Sequence, residues 1–80
     1  MSKAEIRTPL PGIFYRKPAP DEPDFKNIGD RVAVGDVIGL VEVMKTFTQI
    51  TSEVDGTVLS FRVENEEAVM PGQVLVEVET

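Results

Sequence analysis

Val32-Ala33-Val34-Gly35-Asp36-Val37-Ile38 returns 37 residues later as Val69-Met70-Pro71-Gly72-Gln73-Val74-Leu75. Both copies run from a branched apolar residue through a glycine turn and back into apolar alternation. Working outward, Ile6 to Gly12-Ile13-Phe14 matches Ile50 to Gly56-Thr57-Val58 at an offset of 44. Each half therefore reads as strand, glycine turn, strand, acidic loop, short strand, glycine turn, strand. Neither half can bury its apolar face alone. Two halves related by a pseudo-two-fold can close on one another.

The segments Val32–Val34, Val37–Val41, Thr57–Val63 and Val74–Val78 are rich in β-branched residues and bounded by Gly, Pro, Asp or Asn. No stretch carries the apolar stripe of ten or so residues that a helix would need. The fold class expected is all-β. Gly12, Gly35, Gly56 and Gly72 read as strand starts or turns, and Asp55-Gly56 is a strong turn signal. A phosphate-binding loop would need repeated glycine followed by a helix, and none is present.

The two offsets differ by seven residues, which places an insertion in the first half between Phe14 and Val32. Its obvious body is Lys17-Pro18-Ala19-Pro20-Asp21-Glu22-Pro23-Asp24. Prolines cannot supply ladder N–H groups, so this segment leaves the sheet as an irregular excursion. Phe25 and Ile28 are the residues expected to anchor its return. A long connection in so small a domain is either functional or disordered.

Eighty residues support one small domain. The chain holds no cysteine and no histidine, so disulfides, thiolate metal sites and Ser-His or Cys-His nucleophile pairs are excluded within it. Its formal net charge is −6, from 14 acidic against 8 basic residues. Nucleic acid and anionic membrane surfaces both demand a basic patch, so neither is expected as a partner. No apolar run approaches the ~20 residues of a membrane helix, and Met1-Ser2-Lys3-Ala4-Glu5 has no signal-peptide character. A cytoplasmic location, or an organelle interior, is the expectation.

Between the halves, a strand from Val37 to Val43 enters Met44-Lys45, and a strand from Phe47 to Ser52 leaves it. A two-residue hairpin loop normally takes Asn-Gly or Asp-Gly, so Met-Lys breaks a local rule. Such breaks often mark functional sites. The plain alternative is an ordinary exposed edge lysine with Met44 packed inward. The midpoint of a symmetric repeat favours a handle, a lysine held out where a large partner can reach it.

Glu42-Val43-Met44-Lys45 resembles the attachment motif of the biotinyl domains, usually Glu-Ala-Met-Lys-Met. The stretches Pro9–Arg16, Pro18–Asp21, Val34-Gly35-Asp36 and Pro71–Leu75 resemble the biotin carboxyl carrier of bacterial and plastid acetyl-CoA carboxylase. The similarity runs over about residues 6 to 79. It implies a flattened β barrel, or barrel-sandwich hybrid, of two four-stranded antiparallel sheets, with biotin amide-linked to Lys45 by a biotin protein ligase. It also implies that the insertion, over 17–27, is a thumb lying near the attached biotin within a single domain spanning 1–80. The partners implied are the ligase, a biotin carboxylase and a carboxyltransferase, with no catalysis by the chain itself. Glu42 and Met44 are the expected recognition residues. Val43 stands where alanine is usual and Thr46 where a second methionine is usual, and both flank the target lysine. The long N-terminal segment and Ala/Pro-rich linker of full carriers have no counterpart, so the sequence reads as a short carrier or a trimmed domain. Acetyl-CoA is the favoured acceptor, and carriers of carboxylases acting on urea-like substrates are similar. A lipoyl domain, typically with aspartate before its lysine, and an unmodified interaction module remain as other readings.

Overall fold

In the computed structural model, which describes residues 2–80, eight strands form two sheets. They are β1 (Lys3–Arg7), β2 (Gly12–Tyr15), β3 (Arg31–Val32), β4 (Val37–Val43), β5 (Thr46–Thr51), β6 (Gly56–Phe61), β7 (Glu67–Val69) and β8 (Val74–Glu79). One four-stranded sheet has the order β1-β8-β6-β3 and the other β5-β4-β2-β7. All pairings are antiparallel. Advancing each strand number by four, cyclically, turns the first order into the second. That mapping is the pseudo-two-fold which the sequence repeat predicts, and each sheet draws strands from both halves.

The repeat extends to individual hydrogen bonds. Thr8 and Ser52 are the two buried polar residues among those described, each 1% exposed. Thr8 Oγ1 donates to the Leu10 carbonyl and accepts from the Leu10 N–H; Ser52 Oγ does the same with Val54. The Thr8 and Ser52 carbonyls accept from Gly72 and Gly35, and their N–H groups donate to Gln73 and Asp36. Every hydrogen-bonding group of the two residues has a partner, so their burial costs little. In the glycine turns, Ala33 N–H donates to Asp36 Oδ2 and Met70 N–H to Gln73 Oε1. The Ala33 N–H, followed by the Lys26 ammonium at 3.2 Å, holds the Asp36 carboxyl below the usual carboxylate range.

Phe14, Ile38, Val41, Val58, Leu75, Val76 and Val78 fill the space between the sheets at no more than 1% exposure. The core-facing residues come from both sheets, as a sandwich requires.

Three expectations need correction. The short strand stops at Val32 rather than Val34, because Ala33 is taken up by the Asp36 turn. The sixth strand stops at Phe61 rather than Val63. Ile28 does not anchor the insertion: it is 67% exposed. The anchor is backbone, with the Phe25 N–H donating to the Arg16 carbonyl at 2.8 Å.

Candidate functional site

The β4–β5 ladder runs through Leu40↔Gln49, Val41↔Thr48 and Glu42↔Phe47 to Val43↔Thr46, leaving Met44-Lys45 as a two-residue turn. Both turn residues have positive φ, 49° and 67°. That is the primed-turn geometry whose twist matches the flanking strands, and it is normally filled by Asn and Gly. A side chain in the left-handed region costs on the order of 1 kcal/mol per residue. The ladder holds the strain in place. Val43 packs against the core just beneath the turn, while Met44 is 94% exposed. Met44 therefore does not pack inward. Lys45 is exposed and, among the described residues, makes no hydrogen bond or ion pair. The result is an uncommitted amine at a rigid tip. Replacing the turn by Met44→Asn with Lys45→Gly is expected to raise the melting temperature by about 5 °C, the effect of roughly 1 kcal/mol in a domain this small. An unchanged or lower melt would show that the turn carries no strain.

Below the tip, the outward face of the second sheet is apolar where alternation calls for polar residues. Leu40 and Phe47 lie on this face together with Tyr15 and Glu42. The Tyr15 hydroxyl donates to Glu42 Oε1 at 2.9 Å. The rings of Tyr15 and Phe47 lie 5.8 Å apart at 52°, within the range of favourable tilted aromatic pairs. The hydrogen bond to Glu42, then partial desolvation, then the Glu42 charge raise the Tyr15 phenol above its ordinary value. Tyr15 thus stays a neutral donor that fixes the Glu42 carboxylate, three residues before Lys45.

The insertion folds back over this face. Lys17, Pro18, Ala19 and Pro20 form one wall of a cavity of about 410 Å³ whose floor includes Tyr15, Leu40 and Phe47. A turn from Ala19 to Glu22 closes the excursion at 3.0 Å. Its base is held by Arg16. The guanidinium stacks on the Phe61 ring at 3.8 Å and reaches the Lys26 carbonyl at 3.3 Å and Asp24 at 3.4 Å. The Arg16 N–H donates to Asn65 Oδ1.

Of the residues singled out from the sequence, Lys45, Met44 and Thr46 stand exposed at or beside the tip, Glu42 sits on the outward face and Val43 on the inward side. Tyr15, Arg16 and Phe47 were not singled out as site residues. For Tyr15 and Phe47 the signal was present as apolar residues in the outward phase of otherwise alternating strands, whereas Arg16 follows the end of β2 and carried no local signal. The described residues contain no helix, and so none long and apolar enough to cross a membrane.

Comparison with known proteins gives a consistent result. Residues 4–78 match the family model described as "Biotin-requiring enzyme". The chain is 39% identical over 75 residues to the biotin carboxyl carrier protein of acetyl-CoA carboxylase from Nostoc sp., covering 94% of this chain and 41% of that one. It is 38% identical over 77 residues to its counterpart from Porphyra purpurea, covering 96% and 49%. The chain thus spans less than half the length of these relatives. Among solved structures, the Kluyveromyces lactis urea carboxylase superposes with a TM-score of 0.79 at 22% identity, covering 99% of this chain and 6% of that one. A single-chain, multi-domain long-chain acyl-CoA carboxylase also gives 0.79, at 16% identity, covering 98% and 7%. At these identities the likeness of the two structures is one of fold.

Proposed function

The chain belongs to the family of biotin-requiring enzymes, and on that premise we propose that it is a biotin carboxyl carrier whose acceptor is Lys45. The observation that carries the reading is the uncommitted, exposed lysine at the tip of a strained two-residue turn joining the two symmetric halves. In the attachment step the Lys45 Nζ, freed of a proton, attacks the carboxyl carbon of an activated biotin supplied by a biotin protein ligase. An amide forms, the activating group leaves, and the proton passes to the ligase or water. Bound biotin supplies a ring nitrogen that accepts a carboxyl group at one enzyme and surrenders it at another.

The chain's own residues present and orient. Met44 and Lys45 are held outward by the primed turn, Val43 secures the turn to the core, and Thr46 closes the ladder beneath it. Tyr15 fixes Glu42 for recognition by the ligase. The tether turns encounters with a biotin carboxylase and a carboxyltransferase into local events, at effective concentrations of about millimolar for short flexible links. We place the carrier in acetyl-CoA carboxylase, as the names of its relatives support. No group in the chain is assigned a catalytic role.

The insertion over 17–27 is read as a thumb, supported by the apolar cavity that it encloses beside the tip. Replacing Pro18–Asp24 by a short Gly-Ser link is expected to leave a folded, biotinylated domain whose melting temperature falls by no more than about 8 °C, since the loss is mainly cover over Leu40. Carboxyl transfer with partner enzymes is expected to slow. A deletion that unfolds the domain would make the insertion structural and end the thumb reading.

The direct test is intact mass after incubation with a biotin protein ligase, ATP and biotin, beside a parallel reaction with a lipoate ligase and lipoate. One biotinyl increment and no lipoyl increment is expected. The reverse pattern would make this a lipoyl domain, and no increment in either would leave an interaction module.

A further inference from the structure

Among the described residues, five large apolar side chains are exposed: Ile28, Val34, Met44, Phe47 and Met70. Met44 is the most open of them at 94%. It stands directly beside Lys45, and Thr46 occupies the other side, so a single thioether borders the acceptor amine. Its φ of 49° turns the chain outward at this point, and the side chain has no place in the core cluster. A thioether so placed contributes nothing to the fold. An enzyme that closes on Lys45 must cover it.

We propose that Met44 is a reversible oxidation site that controls whether Lys45 can be acylated. The oxidant is a hydroperoxide. A sulfur lone pair attacks one peroxide oxygen, the O–O bond breaks and an S–O bond forms. Sulfur is oxidised by two electrons, and hydrogen peroxide is reduced to water, taking up the proton released in the transfer. The reverse step consumes two thiols, which leave as a disulfide, and the oxygen departs as water through a methionine sulfoxide reductase. Oxidation replaces an apolar, flexible group by a polar, chiral one. The sulfoxide oxygen is well solvated on the free carrier and must be stripped of water when a ligase covers the tip. Burial of a polar group without a partner opposes docking. The fold itself is untouched, because Met44 packs against nothing that stabilises it. A second methionine after the lysine would blur the response by offering another oxidation product; Thr46 removes it.

This inference rests on the assignment of Lys45 as acceptor, and the test separates the two. Met70 is also exposed, at 67%, in the β7–β8 turn, two strands across the sheet from β4. The chain carrying Met70→Leu removes that competitor without touching the tip. It is treated with graded hydrogen peroxide, the fraction of sulfoxide at Met44 is read by peptide mass, and initial rates with biotin protein ligase are measured. The ligase kcat/KM of the Met44 sulfoxide form is expected to lie about tenfold below that of the untreated chain, so that the initial rate of the mixture falls in proportion to the oxidised fraction, with the melting temperature unchanged. Treatment with the two epimer-specific sulfoxide reductases and a thiol is expected to restore the rate. Full-rate labelling of a chain fully oxidised at Met44 overturns the proposal, and so does a lost rate that reductase treatment fails to recover. An untreated chain that takes no label overturns the Lys45 assignment and this proposal together, whereas an untreated chain that labels normally confines any failure to Met44.

Discussion

Lys45→Arg is expected to abolish labelling by biotin protein ligase while leaving the fold intact. The guanidinium keeps the positive charge and most of the stem, but it is not deprotonated in proteins and so cannot become the amide nitrogen. The tip geometry asks the same of arginine as of lysine: a left-handed φ near 67° and a side chain free in solvent. No packing contact is lost, so the change in stability is expected to stay within about 0.5 kcal/mol, the range of ordinary surface substitutions. The loss of label, by contrast, is all-or-none, since the other lysines lie elsewhere. Lys3 is on β1, Lys17 lines the groove, and Lys26 is engaged with the Arg31 carbonyl and Asp36. None has the primed turn beneath it. Intact mass and peptide mapping of the labelled chain, together with thermal melts of both proteins, check the result. Biotin found on the arginine variant would move the acceptor to one of those lysines and leave the strained turn without a role in attachment.

The repeat made the architecture legible from residue order alone. Two offsets, 37 and 44, recur in three dimensions as the cyclic relation between the sheets. The exposed two-residue turn that holds Lys45 was equally legible, because a lysine at the joint of two halves in a turn unsuited to it is a local anomaly. Other parts were hidden for physical reasons. Thr8 and Ser52 are short polar residues that look like ordinary loop members. Their burial depends on carbonyl and N–H partners more than a dozen residues away, which no local pattern reports. The groove was hidden because its lining comes from four separate segments, around Tyr15, Pro18, Leu40 with Phe47, and Asn65. Ile28 misled because an apolar residue after a proline-rich loop reads as an anchor. In fact the loop is closed by the Arg16 carbonyl and by a guanidinium stacked on Phe61. Ile28 itself is left exposed.

The symmetry makes a sharper demand at two glycines. A β-carbon at Gly12 would fall on the Glu42 carbonyl oxygen and the Val41 side chain; at Gly56 it would fall on the Glu79 carbonyl oxygen and the Val78 side chain. The pairs are the 44- and 37-residue images of one another, so the same close approach is built twice. In each case the obstacle includes backbone, which cannot rotate away. Gly12→Ala and Gly56→Ala are each expected to cost about 3 kcal/mol, the upper part of the usual overpacking range. In a domain of this size that lowers the melting temperature by at least ~10 °C. The two variants should part company at the tip. Gly12 pushes on Glu42, whose carboxylate is held by Tyr15 on the strand that carries Lys45. Gly56 pushes on the C-terminal strand of the opposite sheet. Measured well below both transitions, biotinylation is expected to slow in Gly12→Ala and to persist at the parent rate in Gly56→Ala. Melts within two or three degrees of the parent would mean the sheets yield easily at these crossings. Equal labelling of the two destabilised variants would mean that the position of Glu42 does not govern recognition of Lys45, and the role of the Tyr15–Glu42 pair would fall with it.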